Sequence, residues 1–494
     1  MRILMVTAEM APFAKVGGLA DVTDALSRAL AVRGHDVRVV LPLFGHLDRE
    51  KENIRLLKKL PPLSVRVGHR VVDFRVYLRG SANAAVKVYL LEAEDLFAHA
   101  GIYTDAAGDP LPDALSRAAL HGAAALALPR LLDWPVDIVH AHDAEAVPAL
   151  LFRRHWYSGR ELPGPAATVL TIHNLAHQEI HPADGVEVLG LPAAMASYPG
   201  LLEFHGHLNL LKAGILAADQ LNTVSPTYAR ETTDDPRYGC GLEGVLGSRG
   251  KAYRGILNGG DYGTWNPARD TFLAAPFGPG KLKGKTACRR ALLKELTLKA
   301  VPGKPLCGLV GRLVAQKGIG LLLPLLDRLA ADGYTFAILG TGDRQLEAAC
   351  RKAAGKHPDR VAFVGSFDEG LAHRIYAGSD LFLMPSEFEP CGLSQMYALR
   401  YGTPPLVRRT GGLADTVIDA DHADGVGFVF TEAQPEALLA ALRRAEAAFG
   451  EADVWSGLQD RGMAVDFSWD LSAAGYEAMY ADALTAASGS RKDT

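Results

Sequence analysis

The strongest candidates for chemistry are two basic side chains that follow an apolar run in the second half of the chain. Arg312 and Lys317 lie in the glycine-flanked segment 311–318, directly after residues 306–310. Two cations in one loop suit a diphosphate leaving group, because negative charge grows on it as the bond to it breaks. A solvated loop with two ordinary cations is the alternative, and the flanking glycines favour the anion-binding interpretation.

A carboxylate follows a later apolar run in the same half. Glu389 comes after residues 380–384, and Pro390 and Gly392 restrict the backbone beside it. We expect Glu389 to lie near a helix start, where it could accept hydrogen bonds from sugar hydroxyls. A carboxylate stabilised only by the helix dipole is the alternative, and the local pattern does not choose between them.

Two glycine turns resemble each other across the chain. Residues 16–22 read VGGLADV and residues 410–417 read TGGLADTV, with Lys15 just before the first turn. Paired glycines let backbone amides approach an anion at a helix start. A structural role is the alternative for either turn, and a steric problem common to both would explain the similarity.

Two histidines end successive apolar runs in the first half. His142 follows residues 136–140, and His173 follows residues 167–172. Two imidazoles at neighbouring strand ends indicate a site more strongly than one does. The spacing of histidines and carboxylates gives no support for a metal site.

These residues need a scaffold of parallel strands, because side chains at the carboxyl ends of such strands meet at one edge of the sheet. Apolar runs alternate with helical periodicity along both halves, which predicts two α/β domains of Rossmann type with a cleft between them. We place the first domain at 1–255 and the second at 256–475. Residues 476–494 form a last helix end and tail, with that helix packing back on the first domain. A glycine, proline and lysine-rich stretch at 274–285 predicts a surface loop.

The composition narrows the class of protein. The net charge of −4 gives no electrostatic reason to expect nucleic acid or an anionic membrane as a partner. The five cysteines form no CxxC pair, and the N-terminus has no signal-peptide pattern, so we expect a cytoplasmic protein. No apolar run is long enough to span a bilayer. The oligomeric state stays open.

The ordered motifs resemble those of bacterial glycogen synthases and plant starch synthases, which are retaining glycosyltransferases of the GT-B fold. The resemblance covers nearly the whole chain and rests on segments 15–22 (KVGGLADV), 140–143 (HAHD), 171–174 (TIHN), 211–214 (LKAG), 224–231 (VSPTYARE), 258–259 (NG), 311–313 (GRL), 316–318 (QKG), 388–393 (FEPCGL), 408–415 (RRTGGLAD) and 466–469 (DFSW).

The resemblance implies a role for each candidate. Arg312 and Lys317 would hold the donor diphosphate, Glu389 would lie near the transferring glucose, and His142 would contact the glucosyl unit. These four are the expected catalytic residues. The expected substrate-binding residues are Lys15, Gly17, Gly18, Asp21, His173, Asn258, Cys391, Gly392, Leu393, Thr410, Gly411, Gly412 and Leu413. The family implies no metal and no cofactor.

The chain also departs from the family pattern. Ala144 stands where tryptophan is usual, His177 where tyrosine is usual, and Glu179 where glycine is usual. Glu387 replaces a residue that is basic in several relatives. Tyr397 lies eight residues after Glu389, where the broader retaining class often has a second glutamate; in this it agrees with the synthases. These departures leave the donor residues intact and concern the acceptor side.

The resemblance implies transfer of glucose from ADP-glucose to the non-reducing end of an α-1,4-glucan such as glycogen, with retention of configuration. Use of UDP-glucose, or another retaining GT-B reaction, is the alternative. A nucleotide-dependent oxidoreductase fits less well, because no GxGxxG follows the first strand. A glucan-binding protein without activity is disfavoured by the presence of Lys15, Arg312, Lys317 and Glu389 together. A related phosphorylase is a further alternative. It would differ from a synthase in carrying pyridoxal phosphate as a Schiff base on a lysine.

Overall fold

The computed structural model describes residues 1–81, 83–98, 101–105, 109–156 and 166–489. The chain forms two compact units. The first contains Met1–Val224, Ala229–Ile256 and Trp469–Thr494, and the second contains Ser225–Tyr228 and Leu257–Ser468. The second unit ends at Ser468 rather than at the expected residue 475, because the last helix begins at Trp469 and packs on strands and a helix of the first unit. The last part of the expected tail, 490–494, lies outside the described residues.

The first unit is built on one large sheet and a small one. Its strands are β1 (Arg2–Val6), β2 (Asp36–Pro42), β3 (Ile54–Leu56), β4 (Leu63–Val67), β5 (Arg70–Arg79), β6 (Val86–Glu92), β7 (Ile138–His142), β8 (Ala167–Ile172), β9 (Ile180–Pro182), β10 (Glu203–Phe204), β11 (His207–Asn209), β12 (Gln220–Thr223) and β13 (Tyr253–Gly255).

Helices flank the sheets in this part of the chain. They are α1 (Gly18–Val32), α2 (Glu94–Phe97), α3 (Ala114–Leu131), α4 (Val147–His155), α5 (Gly185–Leu189), α6 (Leu210–Ala217), α7 (Pro226–Asp234), α8 (Pro236–Gly239) and α9 (Glu243–Ser248).

The large sheet has a parallel centre and an antiparallel edge. Its order is β13-β12-β8-β7-β1-β2-β6-β5-β3, with β4 also paired to β5, and the pairings from β13 to β6 are parallel. The chain runs from β1 to β2 on one side, and β7 lies on the other side of β1. The direction of progress along the sheet therefore reverses between β1 and β7, where ligands bind in open α/β sheets.

The second unit repeats this design with a fully parallel sheet. Its strands are β14 (Leu306–Val310), β15 (Thr335–Leu339), β16 (Val361–Val364), β17 (Leu381–Met384), β18 (Pro405–Arg408) and β19 (Phe428–Phe430). They lie in the order β16-β15-β14-β17-β18-β19. This order has its reversal point between β14 and β17, so the residues after these two strands are brought together.

The remaining helices of the chain follow Leu257. They are α10 (Lys283–Glu295), α11 (Ile319–Leu322), α12 (Leu326–Ala331), α13 (Arg344–Lys356), α14 (Glu369–Gly378), α15 (Ser394–Arg400), α16 (Gly411–Thr416), α17 (Pro435–Phe449), α18 (Ala452–Ala464) and α19 (Trp469–Gly489). The apolar side chains of the sheet and its helices form two buried clusters, one against each face.

The last helix completes the first unit. Helix α19 packs against α1, β8 and β12. Its Glu477 accepts a bond from Arg33 at 2.7 Å and lies 2.8 Å from His35, and its Tyr476 and Tyr480 are fully buried. The helix therefore covers one face of the parallel sheet of that unit.

The predicted surface loop at 274–285 is wrong at its end, where the chain is helical and Lys285 is buried. Helix α10 begins at Lys283, and Lys285 is only 6% exposed. Its ammonium donates to the Thr403 hydroxyl at 2.5 Å and to the Ala377 carbonyl at 3.0 Å, near the end of α14. A cation at the carboxyl end of a helix is favoured by the helix dipole, but burial lowers the pKa of Lys285 from 10.5 to about 7.

The depressed pKa predicts a pH-dependent effect on stability. Between pH 7 and pH 10 the unfolded chain binds more protons at Lys285 than the folded chain does, so this group destabilises the fold less as pH rises. We expect Lys285→Met to gain stability relative to the parent at pH 6, and that gain to shrink by up to about 4 kcal/mol by pH 10. Urea unfolding of both proteins across this range measures the difference.

The matched control is Lys283→Met, which changes an exposed lysine two residues away on the same helix. Its stability relative to the parent should be independent of pH. The same pH-independent difference for Lys285→Met would contradict the prediction.

Candidate functional site

The basic and acidic candidates of the second unit meet at the reversal point of its sheet. Arg312 and Lys317 follow β14, and Glu389 follows β17. Arg312 and Lys317 line a cavity of about 60 Å³ whose wall also includes Ser386 and Ser394. The strand order brings together residues that are more than seventy positions apart in the sequence, such as Lys317 and Glu389.

The central contact of this site is an ion pair. The Lys317 ammonium lies 2.6 Å from Oε2 and 2.9 Å from Oε1 of Glu389, and the Ser386 hydroxyl donates to Oε2 at 3.1 Å. Glu389 is 4% exposed, so its carboxylate depends on these partners. The structure does not support the expectation that Glu389 lies at a helix start, because α15 begins only at Ser394.

Arg408 holds the backbone of the segment that precedes Glu389. Arg408 is buried, with 8% of its surface exposed. Its guanidinium donates to the backbone carbonyl of Ser386 at 2.8 Å and to that of Thr431 at 3.2 Å. It also donates to the carbonyl of Glu387. Arg408 therefore fixes the path of the segment that carries Glu389.

The second glycine turn packs on the same segment. The amide of Gly412 donates to the carbonyls of Glu389 and Pro390 at 3.1 and 3.2 Å, and the amide of Leu413 donates to Thr410 at 3.1 Å. Gly411 has a φ of +43°, and a Cβ on either glycine would overlap a backbone carbonyl of the 389–391 segment. The expectation of free amides for phosphate is thus not met at Gly412 and Leu413, although Thr410, Gly411, Gly412 and Leu413 do adjoin Glu389.

Four other expected binding residues, Asn258, Cys391, Gly392 and Leu393, lie in this segment or beside it. Asn258 is 4% exposed, and its Oδ1 has no hydrogen-bond partner among the described residues. Its backbone bonds to the thiol of Cys391, whose pKa burial raises to about 12, so the thiol stays protonated. Gly392 and Leu393 follow directly, and Gly392 has a φ of +75° that a glycine adopts without strain.

In the first unit, the glycine turn after β1 is held by an acid that sequence reasoning missed. Glu9 is 3% exposed, and its Oε2 accepts from the amides of Val16 and Gly17 at 2.6 and 2.9 Å. Its Oε1 accepts from the Tyr103 hydroxyl at 2.7 Å. The Gly17 amide is therefore bonded within the protein. A glutamate just after an apolar strand, eight residues before a glycine pair, was the available signal.

Lys15 and Asp21 form an ion pair on this turn. The Lys15 ammonium lies 2.7 Å from Oδ1 of Asp21, and both side chains are partly exposed. Burial raises the pKa of Asp21, while Lys15 opposes that rise. The Lys15 cation thus points along the first turn of α1, next to Gly18, where a Cβ would meet open space.

The two predicted histidines lie together at the carboxyl ends of β7 and β8. Nδ1 of His142 is 3.1 Å from Nε2 of His173, and Nε2 of His142 is buried without a hydrogen-bond partner in the described part of the chain. Burial lowers the pKa of His142 well below its usual value and that of His173 to about 3. Both rings are therefore neutral, which suits contact with an uncharged sugar better than contact with phosphate.

A third imidazole beneath His142 has a defined tautomer. The amide of Asn222 donates to the Thr223 carbonyl, so its Oδ1 accepts the Thr171 hydroxyl proton at 2.7 Å. The Thr171 oxygen must then accept from Nε2 of His140 at 2.7 Å, and Nδ1 of His140 accepts from the Tyr480 hydroxyl at 2.9 Å. The ring of His140 lies 4.1 Å from that of His142. Tyr480 on α19 therefore helps to fix the floor of this site.

Two acids beside the histidines have raised pKa values. Burial raises the pKa of Asp143 to about 7, although the His173 amide donates to its carboxylate at 2.6 Å. Burial, and then repulsion from Asp143 and Glu179, raises the pKa of Glu145 to about 8. Asp143 also has a φ of +59°, a strained conformation that is common at functional sites.

Among the described residues, no group of three histidine, cysteine, aspartate or glutamate side chains is arranged to hold a metal ion. Within the same residues, no helix combines the length and the apolar character needed to cross a bilayer.

The two glycine turns, alike in sequence, predict opposite effects of the same substitution. Gly17 has an extended φ of −139° and no atom within 4 Å of a Cβ, so Gly17→Ala should leave stability unchanged or raise it by about 0.5–1 kcal/mol. Gly412→Ala should cost about 1–3 kcal/mol, because its Cβ would overlap the Cys391 carbonyl. Urea unfolding of both variants tests this, and an equal loss in both would show that the turns share one steric role.

The chain was compared with known proteins. A family model described as the starch synthase catalytic domain matches residues 2–248, and one described as glycosyl transferases group 1 matches residues 297–451. A glycogen synthase of Anaeromyxobacter sp. (strain Fw109-5) is 47% identical over 97% of this chain and 99% of that protein. A glycogen synthase of Alkalilimnicola ehrlichii is 44% identical over 97% of this chain and 98% of that protein.

A solved structure agrees with these relatives. The catalytic domain of starch synthase IV from Arabidopsis thaliana, bound to ADP and acarbose, is 32% identical with a TM-score of 0.89, over 98% of this chain and 99% of that chain. The fold is therefore the GT-B fold of that domain. With motifs, fold and near full-length relatives in agreement, the chain belongs to the glycogen synthase and starch synthase family of glycosyltransferases.

Proposed function

We propose that the protein transfers glucose from ADP-glucose to the non-reducing end of an α-1,4-glucan such as glycogen, with retention of configuration, in the cytoplasm. The observation that carries this proposal is the cluster of Arg312, Lys317 and Glu389 at the reversal point of a Rossmann-type sheet. Two cations and one carboxylate leave a net positive charge beside a cavity. That balance suits a diphosphate next to a hydroxyl-rich sugar.

The choice of ADP over UDP rests on relatives. The starch synthase IV domain was solved with ADP and with acarbose, an oligosaccharide analogue. The bacterial relatives are glycogen synthases at 41–47% identity. UDP-glucose remains the second candidate, because the residues around the proposed diphosphate site do not distinguish adenine from uracil.

The proposed step breaks the bond between the glucosyl C1 and the diphosphate oxygen and forms a bond from C1 to the acceptor O4. The 4-hydroxyl attacks on the face that the diphosphate leaves, and its proton passes to a departing diphosphate oxygen. The products are the extended glucan and ADP. Arg312 and Lys317 neutralise the charge that develops on the diphosphate. No strong enzymatic base is required, in contrast to glycoside hydrolysis by paired carboxylates.

The first unit is proposed to handle the sugar. His142 is neutral, and its Nε2 has no partner within the described ranges of the chain, so it can exchange one hydrogen bond with a glucosyl hydroxyl. Lys15 adds a mobile cation for the donor diphosphate. Its partner Asp21 and the open space at Gly17 and Gly18 leave room beside it for a ligand. His173 orients His142, and Asn258 with Cys391 supports the segment of Glu389.

We expect Lys317→Ala to lower kcat for transfer to glycogen by about 100–1,000-fold, because one of the positive charges proposed to stabilise the leaving group is removed. The fold should persist, since Ser386 still donates to Glu389. Initial rates at saturating ADP-glucose and glycogen measure the effect, and circular dichroism checks the fold. The control is Lys352→Ala, which changes an exposed lysine on α13. Parent-like turnover in a folded Lys317→Ala protein would remove the main support for the assignment.

The donor is identified by a second measurement. The protein is incubated with glycogen and either ADP-glucose or UDP-glucose, and the released nucleotide is quantified against a reaction without glycogen. We expect ADP to be released at least about tenfold faster than UDP, since one misplaced hydrogen-bonding group in a nucleotide pocket costs this much. Release from UDP-glucose alone would select the alternative donor, and release from neither would refute the proposed transfer.

A further inference from the structure

A buried glutamine on α15, Gln395, contacts the segment that carries Glu389 and has no role in the site described above. Its side chain is fully buried. Its Nε2 lies 3.1 Å from the Cys391 carbonyl, 2.9 Å from the Gly392 carbonyl and 3.1 Å from the Thr416 hydroxyl. One side-chain amide therefore binds two successive carbonyls of the 391–393 segment and a hydroxyl of α16.

These three neighbours decide which end of the Gln395 amide is the nitrogen. Two of them are backbone carbonyls, which can only accept. The Thr416 hydroxyl gives its proton to the Gly412 carbonyl at 2.6 Å, so its oxygen also accepts from Gln395. An oxygen in place of Nε2 would face three acceptors. Oε1 therefore lies on the other side, where it has no hydrogen-bond partner among the described residues.

The two carbonyl contacts determine the direction of the amides in the 391–393 segment. The peptide bonds here are trans, and in a trans peptide unit the C=O and N–H bonds point in opposite directions. The Cys391 carbonyl shares its peptide unit with the Gly392 amide, and the Gly392 carbonyl shares its unit with the Leu393 amide. Both amides therefore point away from the side chain of Gln395.

These two amides are turned toward the accessible side of the segment. Gln395 is fully buried, whereas Gly392, Leu393 and Ser394 are each partly exposed. Neither the Gly392 nor the Leu393 amide donates to a backbone carbonyl in the part of the chain that the structure describes. Ser394, the next residue, lines the cavity of the proposed diphosphate site. Two N–H donors are thus available beside that cavity.

Gln395 also connects this segment to the second glycine turn. Thr416 accepts from Nε2 of Gln395 and donates to the Gly412 carbonyl. The Gly412 amide in turn donates to the carbonyls of Glu389 and Pro390 at 3.1 and 3.2 Å. Loss of the Gln395 amide would therefore loosen the backbone of the site at two places.

We propose that Gln395 is a positioning residue for the donor: by holding the two carbonyls, it directs the amides of Gly392 and Leu393 at an oxygen of the bound sugar nucleotide. An N–H donor can pair with a phosphate oxygen or with a sugar hydroxyl oxygen, and the donor contains both. The inference rests on the proposed function and adds to it a residue that does not touch the substrate.

The test is Gln395→Met, which keeps the length of the side chain and removes its N–H donors. The two peptide units then lose the bonds that fix their orientation, and the amides turn with them. We expect the Kd for ADP-glucose, measured by calorimetry without glucan, to rise about tenfold, because two hydrogen bonds to the ligand are weakened. The KM for ADP-glucose should rise by a similar factor, and the KM for glycogen should stay within about twofold.

The matched control is Gln459→Met on α18 of the same unit. Nε2 of Gln459 donates to the Gly402 carbonyl at 2.7 Å, so this variant also removes a bond from a glutamine to a backbone carbonyl. Both variants should lower the thermal midpoint, and only Gln395→Met should weaken binding of ADP-glucose. Parent-like affinity for ADP-glucose in a folded Gln395→Met protein would overturn the inference and leave Gln395 with a role in stability alone.

A second variant, Gln395→Glu, keeps the shape of the side chain and extends the test if Gln395→Met does not fold. A carboxylate cannot donate to the two carbonyls, so ADP-glucose should bind weakly at pH 8. At pH 5.5, burial and the nearby charges of Glu389 and Asp415, which act on the adjacent Cys391, favour a protonated carboxyl with one O–H donor. The ratio of variant to parent Kd should therefore fall at the lower pH. An equal ratio at both pH values would contradict the positioning role.

Binding of ADP alone locates the ligand oxygen. Weaker ADP binding in Gln395→Met would place the amides on the phosphates. Parent-like ADP binding with weaker ADP-glucose binding would place them on the glucosyl hydroxyls. Either result supports the inference.

Binding and turnover separate this inference from the proposed function. Weaker ADP-glucose binding in Gln395→Met, combined with no glucose transfer by the parent, would refute the transferase step and leave the positioning role supported. Normal transfer by the parent, combined with parent-like affinity in both Gln395 variants, would overturn the inference alone. A parent protein that binds neither ADP-glucose nor UDP-glucose would overturn both.

Discussion

The contact on which the second unit's site depends is the buried ion pair of Lys317 and Glu389. A carboxylate that is 4% exposed is unstable without a cation or several donors, and Lys317 and Ser386 supply them. The pair joins the loop after β14 to the loop after β17, so it holds the two edges of the reversal point at a fixed separation. Arg408 acts on the same loop through the carbonyls of Ser386 and Glu387. The pair thus sets both the geometry and the charge of the proposed diphosphate site, with Arg312 left as the second cation.

The candidate site of the first unit is built from neutral imidazoles instead of charged side chains. Three imidazoles lie close together, those of His140, His142 and His173, and burial keeps each uncharged. The hydrogen-bond order from Asn222 through Thr171 fixes which nitrogen of His140 carries the proton. A cluster of charged imidazoles would repel one another and attract phosphate, whereas neutral rings can exchange single hydrogen bonds with hydroxyls. Among the candidate residues, positive charge is carried instead by Lys15, Arg312 and Lys317.

Much of this arrangement could be predicted from the sequence, because parallel strands bring the residues after them to one edge. That rule places His142 and His173 at one sheet edge, and Lys317 and Glu389 at another. The strand order that makes Lys317 and Glu389 neighbours is seen only in the structure. What it could not predict depends on partners distant in sequence. The two glycine turns read alike, yet only Gly411 and Gly412 are required by close backbone packing, and their neighbours are residues 389–391. Tyr480 and His140 are likewise separated by most of the chain, and the burial of Lys285 depends on Thr403 and the end of α14.

Four acids of the first unit lie close enough to influence one another's charge. Asp143 and Glu145 have pKa values raised to about 7 and about 8, so near neutral pH each spends part of its time protonated. Four full negative charges on Glu9, Asp143, Glu145 and Glu179 would repel strongly in a partly buried space. Partial protonation relieves that repulsion and turns an acceptor into a donor. An acid cluster that can donate and accept in this way is matched to hydroxyl groups rather than to ions.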